Sequence, residues 1–368
     1  MRRLSRGFSL VELMVAVALA MVTGLVVLQV LSNYQGRKQT TSGRNDAEIN
    51  AALGMYSLER EVRMAGAGLM TPSGMLCNVG VNIAYNGVTI SDAAPLRPIR
   101  IVDGGAGPDQ IDILRSTSNF GAAPSSVLQL MASATTPVTV DGTIGLTSGD
   151  LMLVGAFDGN KVCTLMQMSA APVINGTSWN LPHASGGGFP YNPADPSVAF
   201  TTAVAYDVRD LVMNLGRQGW RRFAVVCNNG GVPTATNNCD LASYDLLAAP
   251  NPVTLAAAQS ETPQVIELQA QYGVANAGSQ TVNAWVDATG GTWAVPTEAD
   301  QRRIKAIRVA IVARGNLEGG AVTPGPLVLW DAGLPSQRVR ALSAAEQRYR
   351  YQVLTVVIPL INTIWATL

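Results

Sequence analysis

Hydrophobic and polar positions divide this chain into three regimes. From Leu13 to Leu31 nineteen residues carry no charge, and only Thr23, Gly24 and Gln29 interrupt the apolar run. As an α-helix, at about 1.5 Å per residue, such a run spans roughly 29 Å, close to the hydrocarbon thickness of a bilayer. It follows a short basic stretch, "MRRLSRG", with arginines at 2, 3 and 6. No small-residue cleavage site follows the run, where Ser32-Asn33-Tyr34-Gln35 stands, so the segment is expected to be retained. The arginines are expected to stay cytoplasmic, which places the rest of the chain across the membrane. One carboxylate, Glu12, sits at the head of this stretch.

The second regime is polar but periodic. Met55, Leu58, Val62, Ala65 and Leu69 recur at three- and four-residue steps, with Arg60 and Arg63 on the opposite face. This predicts an amphipathic helix packed on its own domain, stopped by Gly66, Gly68 and Pro72. Gly36, Gly43 and Gly54 weaken the helix, and "NYQGRKQTTSGRND" reads as a flexible neck.

Beyond Pro72 the pattern turns to strands and loops. "QIDILR" is a short strand, and "GDLMLVGAFDGNKVCTLMQM" predicts two strands joined at Asp158-Gly159. "NGTSWNLPHASGGGFPYNPADP" reads as loop. In "TPQVIELQAQYGV" alternation puts Ile266, Leu268, Ala270 and Tyr272 on one face. "IKAIRVAIVARG" is strand by its β-branched content, and "RYRYQVLTVVIPLINTIW" is a further strand ending near Pro359. Its polar start argues against a second membrane span.

Composition supports this division. With 368 residues, 36 glycines, 20 prolines, 14% charged and 48% apolar residues, the body is a turn-rich, mostly β structure and not a disordered one. Its length allows one or two domains beyond the N-terminal segment. Lys+Arg and Asp+Glu balance at 25 each, so no global charge points to nucleic acid.

Catalytic chemistry finds little to work with. A histidine relay would have to use His183, the single histidine, which lies in a Pro/Gly-rich loop. No G-x-S-x-G, phosphate-binding loop or dinucleotide fingerprint occurs. "DGTIGLTSGD" and "NNGGVPTATNNCD" hold oxygen ligands without EF-hand spacing and read as solvated turns. Neither cofactor nor metal is expected, and the chain is not expected to be an enzyme.

"RGFSLVE" ahead of the apolar run resembles the type III signal of type IV prepilins and pseudopilins. The resemblance implies cleavage by prepilin peptidase between Gly7 and Phe8, methylation of the new N-terminus at Phe8, and an assembly role for Glu12, fifth after the cut. Physically, a carboxylate in the bilayer is costly unless paired, and the cut creates an amine one helical turn away. Glu12 can neutralise that amine in its own chain or in a neighbour, and in a helix bundle the latter favours one axial register.

The C-terminal pieces resemble minor pilins of the PilW type. The matching residues are Arg348, Tyr349, Thr355, Ile358, Pro359, Leu360, Asn362, Ile364 and Trp365, with Ile361 where the family commonly has arginine. The implied fold is α+β: a long N-terminal helix, its first half spanning the membrane, packed on a large antiparallel β-rich domain. The expected divisions are a leader at 1–7, a transmembrane and polymerisation helix at 8–31, a periplasmic half-helix and neck at 32–71, and a periplasmic β-rich domain at 72–368. The implied function is priming of type IV pilus assembly within a minor-pilin complex at the tip. Implied partners are prepilin peptidase, other minor pilins, the major pilin and the inner-membrane assembly platform; nucleic acid is not expected.

In the periplasm the cysteines are expected to oxidise. Cys227 and Cys239 bracket an eleven-residue polar loop and are the expected bridge, with Cys77 and Cys163 the other pair. Four cysteines permit three connectivities, and buried free thiols are the other option. Two rival functions remain. A minor pseudopilin of a type II secretion system shares the signal but is usually much smaller. A tip adhesin or DNA-uptake pilin would use the middle of the chain, where "RQGWRRF" (Arg217 to Phe223) is the candidate basic and aromatic patch.

Overall fold

A computed structural model describes residues 9–364, apart from 72–73, 95, 119–122, 132–135, 144, 186–187, 203–204, 218, 229, 247–258, 319 and 335. Gly7, Phe8 and Trp365 therefore lie outside the described residues. One helix, α1, runs unbroken from Leu10 to Arg63. At about 1.5 Å per residue its 54 residues reach roughly 80 Å.

The two halves of α1 live in different surroundings. Leu10–Ser32 buries none of its surface in the rest of the chain. Farther along, Ala47, Ala51, Met55, Leu58 and Val62 are each no more than 2% exposed and join one hydrophobic core with the body. The periodicity places Met55, Leu58 and Val62 correctly, but the helix ends at Arg63; beyond it Ala65 joins the same core and Leu69 a second one.

The expected neck is helix instead, and the glycines explain why. A Cβ on Gly315 would lie 2.5 Å from the carbonyl oxygen of Gly43, and one on Gly43 would lie 2.9 Å from the Asn316 side chain. Gly54 sits against Thr262 and Leu241 in the same way. Here glycine permits close approach of helix and sheet, and packing outweighs its weak helix propensity. Gly315→Ala is expected to force the two backbones apart and lower stability by about 1–3 kcal/mol, measured by denaturant unfolding of the detergent-solubilised chain. Gly24→Ala, where a methyl would meet nothing within 4 Å, is the neutral control.

Among the described residues the body is built from antiparallel sheets, with one parallel pairing between Cys163–Gln167 and Val81–Tyr85. A four-stranded sheet runs in the order Val282–Val286, Val265–Ala275, Ile304–Leu317, Tyr349–Pro359. A five-stranded sheet runs Gln259–Pro263, Cys239–Asp245, Trp220–Cys227, Gln110–Leu114, Ile99–Val102. Both pack against α1, and Phe223, Leu241, Tyr272, Ile307, Ile311 and Ile358 meet its buried face. The backbone N–H of Ile101 donates to the Tyr272 hydroxyl at 2.6 Å, tying the two sheets together. Asp109 adds a second tie by accepting from the N–H groups of Gly104 and Ala270, and burial pushes its pKa up to about 7.

A six-stranded sheet, Val88–Ala94, Val81–Tyr85, Cys163–Gln167, Leu151–Gly155, Leu211–Gly216, Ser125–Ser126, forms a separate core with Leu69, Leu76 and Leu153. The expected hairpin is present, with Thr164 opposite Val154, although its loop is longer than the Asp158-Gly159 turn.

Two further expectations change. Ile266 leaves the face it was assigned, because a bulge between Val265 and Glu267 turns it toward Ala310, Val312 and Leu329 on the far side of the sheet. Val265, Leu268, Ala270 and Tyr272 keep the α1 side. Within the stretch read as loop, Ser178–Leu181 is a strand paired with Val173–Asn175 and with Val138–Val140. Gly176, at φ 64°, makes the hairpin turn, and polar Ser178 and Asn180 hid the alternation.

Candidate functional site

The N-terminal end of α1 is built by its own sequence. Ser9 is the cap: its hydroxyl accepts from the Val11 N–H at 3.2 Å, and Glu12 Oε2 accepts from the Ser9 N–H at 3.0 Å. This is a reciprocal capping box, legible as S-x-x-E at 9–12 but not read as such from the sequence. It holds the Glu12 carboxylate against the first turn, where the helix dipole also favours negative charge. Above it the helix is apolar on all sides and exposed, so its stability as a helix comes from its surroundings, lipid or other helices.

The far half of α1 is fastened to the body by polar contacts as well as by its apolar face. Arg115 grips Glu61 with two bonds, at 2.5 and 2.8 Å, and the Glu61 side chain is 5% exposed. Ser57 donates to Glu261 at 2.7 Å, and Thr262 donates to the Asn50 carbonyl at 3.2 Å. The helix end carries orphan carbonyls that need donors. Asn362 supplies them, its amide donating to the carbonyls of Arg63 and Ala65, each at 3.2 Å.

Asn362 belongs to the C-terminal motif, and the other described motif residues have comparable duties. Tyr349 donates its hydroxyl to the Ala235 carbonyl at 2.8 Å and lies under the guanidinium of Arg314. Thr355 donates to the Leu329 carbonyl at 2.7 Å. Ile358 is fully buried in the core shared with α1, and Leu360 donates its N–H to Lys305 as the strand ends at Pro359. The motif therefore fastens the last strand to the end of α1 through Asn362 and Ile358, and to the disulfide loop and Leu329 through Tyr349 and Thr355.

Cys227 and Cys239 face each other across neighbouring strands and form one disulfide. Arg314 fills the loop they close, donating to the carbonyls of Thr234, Ala235 and Asn237. A protein cation thus occupies the oxygen-rich loop considered above for a metal, and among the described residues no cluster of three His, Cys, Asp or Glu forms a metal site. In the other oxygen-rich loop, Asp150 accepts from Thr147 N–H and hydroxyl. The second disulfide joins Cys77 to Cys163 across 86 residues and anchors the chain leaving α1 to the six-stranded sheet.

The remaining candidates have internal partners. His183 is 6% exposed, with Nδ1 3.2 Å from the Leu181 carbonyl. In "RQGWRRF", Arg222 makes two bonds to buried Asp112, Arg221 bonds Ser243 and Gln259, and Arg217 lies 3.6 Å from Asp150. Burial disfavours the Arg222 charge, but Asp112 outweighs it and holds the pKa above the usual arginine value.

Two comparisons with known families coincide with the two ends of this arrangement. Residues 2–28 match the prokaryotic N-terminal methylation motif. Residues 237–362 match the type IV pilus-assembly protein W family, PilW, from the disulfide loop to the asparagine that caps α1. No curated protein matches the chain. The apolar helix and the methylation motif fit a membrane-anchored pilin, and the PilW family is a structural component of the pilus. With that motif on the bare end of the helix and that family's sheet holding the other, the two matches together support a PilW-type minor pilin of type IV pilus assembly.

Proposed function

We propose that this pilin primes pilus assembly as part of a minor-pilin complex at the filament tip, without catalytic activity of its own. The observation that supports the reading is the division of α1, with a mostly apolar span of 23 residues bare and the far half locked to the PilW sheet. A helix rigidly joined to a large body transmits the packing of its membrane half to that body. In this reading prepilin peptidase cuts after Gly7, Phe8 becomes the methylated N-terminus, and the body of residues 72–368 faces the periplasm. Glu12 then meets the freed amine of its own or a neighbouring pilin. The major pilin, other minor pilins and the inner-membrane platform are its partners.

Deleting the chain is expected to abolish surface pili and twitching while exoprotein secretion continues. Loss of secretion with normal piliation would instead favour the pseudopilin reading. The arginine patch gives a DNA reading little support, because Arg221 and Arg222 are engaged within the fold and Arg217 is the exposed member of the three.

A further inference from the structure

We infer that the outer edge of the last strand, Tyr349–Pro359, is a docking site for an extended, uncharged segment of another pilin, which adds to the four-stranded sheet as a fifth strand. The inference rests on the chain acting in a complex of pilins. Tyr349–Pro359 is eleven residues long and pairs on one side only, with Ile304–Leu317. Its outward side can be read from its hydrogen bonds. The Tyr349 carbonyl accepts from the Thr323 hydroxyl at 2.8 Å, and the Val353 carbonyl takes the amide of its own neighbour, Gln352, at 3.4 Å. Alternation puts the N–H and C=O of Tyr351, Thr355 and Val357 on that same outward side. No strand pairs with them among the described residues.

Sheet edges are normally guarded by charge, proline or shortness. The other edges of the three larger sheets follow that rule. Val88–Ala94 contains Asp92, Ile99–Val102 contains Arg100, and Gln259–Pro263 contains Glu261 and Pro263. Val282–Val286 has five residues and Ser125–Ser126 two. The last strand differs, since Gln352 to Ile358 holds neither charge nor proline and is dominated by β-branched residues. Arg350 and Pro359 bound the open stretch.

The side chains define what fits. Leu354 and Val356 are half-buried against the core shared with α1, while Val357 is 52% exposed and Thr355, also exposed, holds the Leu329 carbonyl. A partner strand beside them extends an apolar surface on the α1 side, so a charged segment is excluded and a β-branched one favoured. Main-chain bonds supply affinity and the alternate side chains supply selection.

The test compares hydrogen exchange in the tagged full chain, expressed alone in detergent, with the same chain isolated with the pilins that copurify from its own membranes. Amides of 351, 353, 355 and 357 are expected to exchange at least tenfold more slowly in the complex, while those of 352, 354, 356 and 358 are slow in both. The variant V357E, which alters an exposed side chain opposite Arg308 and leaves the Thr355 bond to Leu329 intact, is expected to keep its unfolding midpoint and recover at least tenfold less pilin. Unchanged exchange at this strand, full recovery of pilins by the variant, failure of the wild-type chain to retain any pilin, or equal protection in the chain alone through self-pairing would each overturn the inference. Normal piliation after deletion would remove the priming role and leave the edge contact standing.

Discussion

Glu12→Gln is expected to block incorporation into pili as fully as Glu12→Ala, with at least a tenfold loss from the sheared-pilus fraction at unchanged membrane level. The pair of variants separates two roles that the geometry combines. Glu12 accepts from the Ser9 N–H and so closes a capping box, an arrangement worth about 1 kcal/mol at a helix end. Glutamine can accept the same bond, so a cap-only role predicts that Glu12→Gln assembles normally. The charge has a different use. In the processing proposed above, cleavage after Gly7 would leave an ammonium near the positive end of the helix dipole, which is unfavourable without a nearby carboxylate. In a low-dielectric bundle, a missing carboxylate leaves that amine unpaired at a cost of several kcal/mol, and the loss falls on assembly rather than on insertion. Immunoblots of sheared pili and membranes decide between the two.

Removing the Cys77–Cys163 bridge is expected to cost more stability than removing Cys227–Cys239. The long loop of 86 residues gives a chain-entropy contribution of about 4–5 kcal/mol, against about 3 kcal/mol for the separation of 12. For a body of this size the double serine variant at Cys77 and Cys163 should unfold roughly 10 °C lower, followed by circular dichroism of the full chain in detergent. The short loop has a second hold in Arg314, which bonds three of its carbonyls, so loss of Cys227–Cys239 should leave it docked on the sheet. An equal or reversed ranking would contradict this account of what each bridge constrains.

Much of the architecture was legible because its signals are local. The apolar run, the 3.6-residue periodicity of Met55, Leu58 and Val62, and the β-branched alternation of Ile307, Val309 and Ile311 each report a single element's environment. What failed depended on distant partners. Gly43 looks like a helix breaker until Gly315 is seen against it. Ile266 alternates correctly in sequence, but a bulge that only pairing reveals turns it over. The arginines of "RQGWRRF" look like a ligand surface until Asp112, some 110 residues earlier, is found beneath one of them. At the site, S-x-x-E was a local signal present in the sequence and overlooked beside the cleavage motif. Asn362 was recognised only as part of a family pattern; its bonds to Arg63 and Ala65 give that pattern a physical cause.

The central claim is that this chain enters the filament through the bare half of α1 after losing its leader. Mass spectrometry of the chain recovered from sheared pili tests it most directly. The account predicts an N-terminal peptide that begins at a methylated Phe8; a chain beginning at Met1, or one confined to the membrane and absent from the pili, would contradict it.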